Sequence, residues 1–279
     1  MIRGLTRTGV GEVGNDENFI ALAARYGFSS VDLDPSGLIQ EQGIEGARRI
    51  LSGNGIRLGS ILLPVEWRFD EERFRQDLVP LAGRLDAAAK LGAASFWTYL
   101  LPSVDEDPVT FLGTATRRLR LCAELLEAFG FRLALEFLGP RDLRGRWKHP
   151  LMWNMGQTLA WIGAIDRPNV GLLLDSFHWH TAGHNLDDLL RLRASDLVHV
   201  HLGDAPDTAR ELLPDDDRLY PGEGAIDLRS FLSGLKSIGY QGIVAQEVLS
   251  PRPPTLPAEE LLERSKKGFD KLFAALELD

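Results

Sequence analysis

The chain has 279 residues, 44% hydrophobic and 25% charged, a balance that lets one large core form without cross-links. Its one cysteine, Cys122, excludes an intrachain disulfide and any Cys-rich zinc site. A formal net charge of −9 repels phosphate backbones and anionic lipid, and no apolar run reaches the ~18 residues of a membrane span, so neither nucleic acid nor a membrane is expected as a partner. The opening MIRGLTRTGVGEVG lacks the apolar stretch of ~7–15 residues of a secretion signal, so a cytoplasmic protein is expected.

β-rich runs and amphipathic segments alternate from end to end. IRGLT (2–6) reads as a strand, and DENFIALAARYG as a helix that Asp16 can cap and Gly27 can end. SVDLD (30–34), RLGSILL (57–63) and ASFWTYL (94–100) follow as strands. DPVTFLGTATRRLRLCAELLEAFG (107–130) has the period of a long helix, started at Pro108 and stopped at Gly130. RLALEF (132–137), VGLLLD (170–175), LVHVHL (197–202) and IVAQEV (243–248) complete the strands, and PAEELLERSKKGFDKLFAALE closes the chain as a helix. Continuous apolar runs such as LLL at 172–174 suit strands buried on both faces of a parallel sheet. Eight strand-plus-helix units predict one (β/α)8 TIM barrel over residues 1–279. The open doubly wound alternative lacks a GxGxxG after its first strand.

Barrel chemistry sits at the C-terminal ends of the strands. There the fifth strand ends in Glu136, the sixth in Asp175, the seventh in His201 and the eighth in Glu247. Period-two alternation puts Ala134, Leu173, His199 and Ala245 one layer below on the same inward face, so the four polar residues converge on the axis. Three carboxylates so close repel unless protonated or neutralised by a cation. One divalent ion is expected, bound by Glu136, Asp175, His201 and Glu247. Oxygen-rich ligation with one imidazole puts Mn²⁺ first, with Mg²⁺, Co²⁺ or catalytic Zn²⁺ as alternatives.

ALEFLGP (134–140), LLLDSFHWH (172–180), VHVHLGDAPD (198–207), DRLYPGEGAID (217–227) and AQEV (245–248) resemble the xylose-isomerase-like barrel superfamily. Within it the chain is most similar to the sugar isomerase/epimerase group that includes keto-inositol (inosose) isomerases and ketose 3-epimerases. LPVEWR (63–68) and WTYLLP (97–102) extend the likeness over nearly the whole chain, and the DxxH at 175–178 with the HxxD at 201–204 is specific in that order. The resemblance implies the same four ligands, a substrate hydroxyl on His178, and Glu136 and Glu247 flanking the reacting carbon. It implies isomerisation or epimerisation of a sugar or cyclic polyol ketone through an enediolate. In ketose 3-epimerases a glutamate lies six residues beyond the fifth-strand ligand; here that position is Asp142, amid Arg141, Arg144, Arg146, Lys148 and His149, which points away from ketohexoses.

Other residues carry weaker expectations. Arg218 is the nearby cation for a substrate hydroxyl or carboxylate, and Asp204 could either orient His201 through its free N–H or serve as an ordinary loop cap. His199 reads as a buried structural histidine, Trp161 as packing, and Trp67, Trp97 and Trp179 as either sugar-stacking faces or core. PGEG (221–224) reads as a tight turn rather than a phosphate grip, because Asp215, Asp216 and Asp217 precede it. The competing functions are a dehydratase of a keto-inositol or 3-dehydroshikimate, a non-catalytic binding barrel, and an endonuclease of the same superfamily. The last needs histidines at earlier strand ends, whereas His149 is the first in the chain. Assembly into a homo-oligomer is left open.

Overall fold

The computed structural model describes residues 1–278. Its strands are β1 (Ile2–Leu5), β2 (Ser30–Val31), β3 (Arg57–Leu58), β4 (Ser60–Leu62), β5 (Ser95–Tyr99), β6 (Ser103–Val104), β7 (Leu133–Glu136), β8 (His149–Pro150), β9 (Val170–Asp175), β10 (Leu197–Leu202) and β11 (Ile243–Gln246). Nine of them form one sheet in the order β3-β2-β1-β11-β10-β9-β7-β5-β4, with every pair parallel. The ends of that order are two halves of one run: β3 pairs with β2, β4 pairs with β5, and only Gly59 stands between them. The sheet thus closes into an eight-unit barrel, as the alternation predicts. β6 and β8 pair antiparallel in a small separate ribbon that the sequence pattern does not signal.

Outward-facing Leu133, Leu135, Leu172, Leu174, Val200 and Val244 are buried against the surrounding helices. The long helix Pro108–Ala128 shows how those helices are built. The Asp107 carboxylate caps it by accepting the Thr110 N–H at 3.0 Å, and its buried Phe111, Ala115, Leu119, Cys122 and Leu126 recur every three or four residues. The first helix, Asp16–Arg25, is capped by Asn15 rather than Asp16, whose carboxylate instead pairs with Arg7 at 2.6 Å.

Inside the barrel, several positions beneath the strand ends are small: Gly4 is in register with Ser30 and Ala245, Ser60 with Ser95, and Ala134 with the larger Trp97. The Ser95 hydroxyl donates to Ser60 Oγ at 2.9 Å. Large polar side chains one layer higher therefore have room to converge.

Candidate metal centre

Register places the four candidate ligands on a staircase. Glu136 lies opposite Leu173, so Asp175 stands two residues further along its strand; Asp175 lies opposite His201; His201 lies opposite Ala245, so Glu247 stands two further again. Strands tilted to the barrel axis need such a stagger to bring residues to one level. The outcome is a fully buried group in which one donor atom from each of Glu136, Asp175, His201 and Glu247 lies within 4.8 Å of the others.

Asp175, His201 and Glu247 are each held from outside the cluster. Asp175 caps the short helix Ser176–Thr181, its Oδ1 accepting the N–H groups of Phe177 (2.6 Å) and His178 (3.1 Å). That is the physical content of the DxxH spacing: Asp175 starts the helical turn that carries His178. Ser176 ties this turn to the next strand end, donating to Gly203 O at 2.7 Å and accepting the Gly203 N–H at 2.9 Å. His201 points Nδ1 at Glu136 Oε1 and Glu247 Oε2, both 3.5 Å away. Among the described residues, His201 Nδ1 and Glu136 Oε1 are buried without a hydrogen-bond partner. Buried polar atoms are rarely left so, and two orphans facing each other fit a cation between them.

Electrostatics agree. Burial pushes the Glu136 carboxyl up, and the Glu247 charge adds to it. Burial also opposes ionisation of Asp175, but Arg218, His178 and His201 outweigh it and hold the carboxyl well below the usual range. Glu247 is likewise held down, against burial, by His201 and Arg218. Burial disfavours the His201 cation, yet Glu247, Asp32 and Glu136 together raise it well above an ordinary imidazole. Arg218 reaches into the centre itself: one Nη donates to Asp175 Oδ2 at 2.8 Å and Glu247 Oε2 at 3.0 Å, the other to Asp215 Oδ1 at 2.8 Å. A divalent cation bound here would displace the His201 proton and let all three carboxylates ionise, and its charge would offset what the Arg218 guanidinium leaves unbalanced.

The secondary expectations fare unevenly. His178 is buried beside the cluster; its Nδ1 accepts the Gly139 N–H at 3.3 Å, and its Nε2 lies 3.3 Å from an Arg218 Nη and 3.7 Å from Asp215 Oδ1. Trp97 stands edge-on to His201 with centroids 5.2 Å apart, and by register the half-exposed Leu62 and Tyr99 share its inward face. Those two wall residues escaped the sequence reading because apolar strand residues look alike whichever way they face. Asp142 lies exposed on the short helix Arg141–Arg144, outside the buried cluster. Arg144 is turned back onto Gly139 O and Thr181 O, so it braces the loop. Trp67 is core, donating to Thr98 Oγ1 at 2.9 Å and packed on Phe111 and Trp161; Trp179 is core against Phe231.

Asp204 does not orient His201. Its carboxylate accepts the N–H groups of Ala205, Gly222, Gly224 and Ile226, at 2.9 to 3.0 Å, and so builds the PGEG turn. Gly224 is obligatory there, since a Cβ would sit 2.2 Å from Ala205 O and 2.6 Å from Asp204 Oδ1. The amides that could have gripped a phosphate are taken by this carboxylate, as the tight-turn reading requires. The partner of the second His201 nitrogen is a residue the sequence reading passed over, Asp32, whose Oδ2 lies 3.3 Å from Nε2 and 2.7 Å from His199 Nε2. Burial works against the Asp32 charge, but His199 and His201 hold its carboxyl well below the usual range.

The family model described as xylose isomerase-like TIM barrel matches residues 20–268. The chain belongs to that family. It is 32% identical to the inosose isomerase of Halalkalibacterium halodurans over 204 residues, 71% of this chain and 68% of that protein. It is 26% identical to the ketose 3-epimerase of Arthrobacter globiformis over 170 residues, 60% of this chain and 53% of that protein. Among solved structures, a xylose isomerase domain protein from Alicyclobacillus acidocaldarius superposes with a TM-score of 0.92 at 34% identity, covering 99% of both chains. No described helix is long and apolar enough to cross a membrane.

Proposed function

We propose that the chain is a divalent-metal-dependent isomerase or epimerase of a sugar or cyclic polyol ketone, proceeding through an enediolate. The observation that carries it is the buried convergence of Glu136, Asp175, His201 and Glu247, with His201 Nδ1 and Glu136 Oε1 unpartnered and facing each other. The inosose isomerase and ketose 3-epimerase relatives support the substrate class. Bound there, a divalent ion supplies Lewis acidity to a carbonyl and its neighbouring hydroxyl. Mn²⁺ is the ion we expect.

The chain's own residues do the rest. Glu136 and Glu247 come from strands that bracket β9 and β10, so they approach a bound ketone from opposite sides. One removes the proton α to the carbonyl, and the other returns a proton to the opposite face or the adjacent carbon. His178 and the Arg218 guanidinium stand beside the cluster as the groups that would meet substrate oxygens, and Trp97, packed on His201, would meet the apolar C–H side of the ring. Asp142, at the rim, meets the far end of the substrate.

The test is a screen of keto-inositols, ketoses and 3-dehydroshikimate with Mn²⁺, followed by NMR in D₂O. Deuterium at the α-carbon without loss of water supports the proposal. An alkene or diketone product instead establishes the dehydratase, and full turnover in demonstrably metal-free protein refutes the metal reading. Glu136→Gln and Glu247→Gln should each bind substrate while turnover falls by ~10²–10⁴-fold, the typical loss for a general base.

A further inference from the structure

Asp32 is a buried carboxylate that neither the metal-ligand set nor the substrate contacts use. It stands just past β2, on the far side of β1 and β11 from the histidine strand, and yet meets that strand across the barrel interior. We infer that Asp32 is the positioning residue for His201: by accepting the imidazole N–H at Nε2 it fixes the ring so that Nδ1 faces Glu136 and Glu247. The inference rests on the metal reading proposed above.

The geometry assigns both nitrogens of the ring. Nε2 lies 3.3 Å from Asp32 Oδ2, and Nδ1 lies 3.5 Å from each glutamate oxygen with no hydrogen bond of its own among the described residues. Rings close on both sides of His201, with Trp97 and His199 centroids at 5.2 and 5.1 Å, so the imidazole has little freedom to flip. Asp32 is itself pinned. Its Oδ1 accepts the Ser60 N–H at 2.8 Å, and its Oδ2 takes His199 Nε2 at 2.7 Å. Gly59 leaves the space it occupies: a Cβ there would fall 2.0 Å from Asp32 Oδ1. The barrel seam between β3 and β4 is thus also the seat of this carboxylate. A metal-binding histidine gains affinity when a carboxylate fixes its tautomer and raises its basicity.

Asp32, His199 and His201 could also be read as ligands of a second ion. The hydrogen-bonded contact to His199 and the ring orientation of His201 account for all three without one.

The test uses the full chain, stripped of metal. Co²⁺ is titrated into wild type and Asp32→Asn by its d–d absorption, and Zn²⁺ by calorimetry, with circular dichroism confirming fold. One equivalent should bind wild type, and Asp32→Asn should bind ~10–100-fold more weakly with an altered Co²⁺ spectrum. Gly59→Ala, which displaces the carboxylate and leaves its charge intact, should reproduce the loss. In Zn²⁺-loaded wild type, imidazole ¹H–¹⁵N spectra should show His201 protonated on Nε2, a readout that needs no variant. A proton on Nδ1, or a folded Asp32→Asn within twofold of wild-type affinity, overturns this inference alone. Wild type that takes up no metal overturns the metal reading and this inference with it.

Discussion

Replacing Arg218 by Met keeps most of the side-chain stem and removes the one cation in direct contact with both Asp175 and Glu247. Both carboxylates are buried, and the guanidinium meets them at 2.8 and 3.0 Å. Removing one partner of a buried ion pair costs ~3–5 kcal/mol, because the charge left behind is uncompensated. For a chain of this size, that lowers the melting temperature of metal-free protein by roughly 6–20 °C. Added Mn²⁺ neutralises the same oxygens, so it should stabilise Arg218→Met by more than it stabilises wild type. Thermal and urea melts of both proteins, in chelator and in Mn²⁺, read the two effects separately. A metal-free variant within ~1 kcal/mol of wild type, or equal metal-induced stabilisation of the two proteins, refutes the reasoning.

Asp204→Ala should cost at least ~2 kcal/mol, since four backbone donors lose a charged acceptor, while metal affinity stays within twofold of wild type because Asp204 is not the partner of His201. Urea melts and Co²⁺ titration check the two halves, and a weakened metal site would restore Asp204 as the orienting group. Burial pushes the Cys122 thiol up to about 12, from an ordinary 9.0, so its contribution to stability is intact below pH 9 and is lost as pH rises towards 12, when only the unfolded chain ionises. Cys122→Ala should flatten that alkaline slope in denaturation curves, and rapid thiol labelling of the native protein at pH 8 would contradict the burial on which this rests.

The barrel was legible because its rules are local. Alternation of β-rich and amphipathic runs locates all eight strand units to within a few residues, and β9 and β10 match the read segments residue for residue. What escaped has no local signature. The β6–β8 ribbon joins Val104 to His149 with only short, unpatterned runs on either side. Gly59 divides the third strand run without changing the chain's course, and a glycine in a strand pattern does not say which neighbour needs the space.

The site follows the same division. Glu136, Asp175, His201 and Glu247 are each polar residues at the end of a strand, where packing gives them no value, and convergence at the barrel top is a property of the fold rather than of any pair. Their mates are a different matter. Asp204 follows His201 by three residues, which makes it the natural candidate to orient the ring, yet its carboxylate is drawn to the PGEG turn by amides 18 to 22 residues away. Asp32 lies 169 residues before His201 and sits in SVDLD between Val31 and Leu33, which both pack the core, with Asp34 two residues on as a carboxylate that could equally cap a turn. Its role depends on the curvature of the sheet, because only that curvature brings the end of β2, separated from β10 by β1 and β11, within reach of it across the interior. A ligand can therefore be found from one strand at a time, whereas the group that aims it belongs to the closed barrel and becomes visible only once the strands are joined.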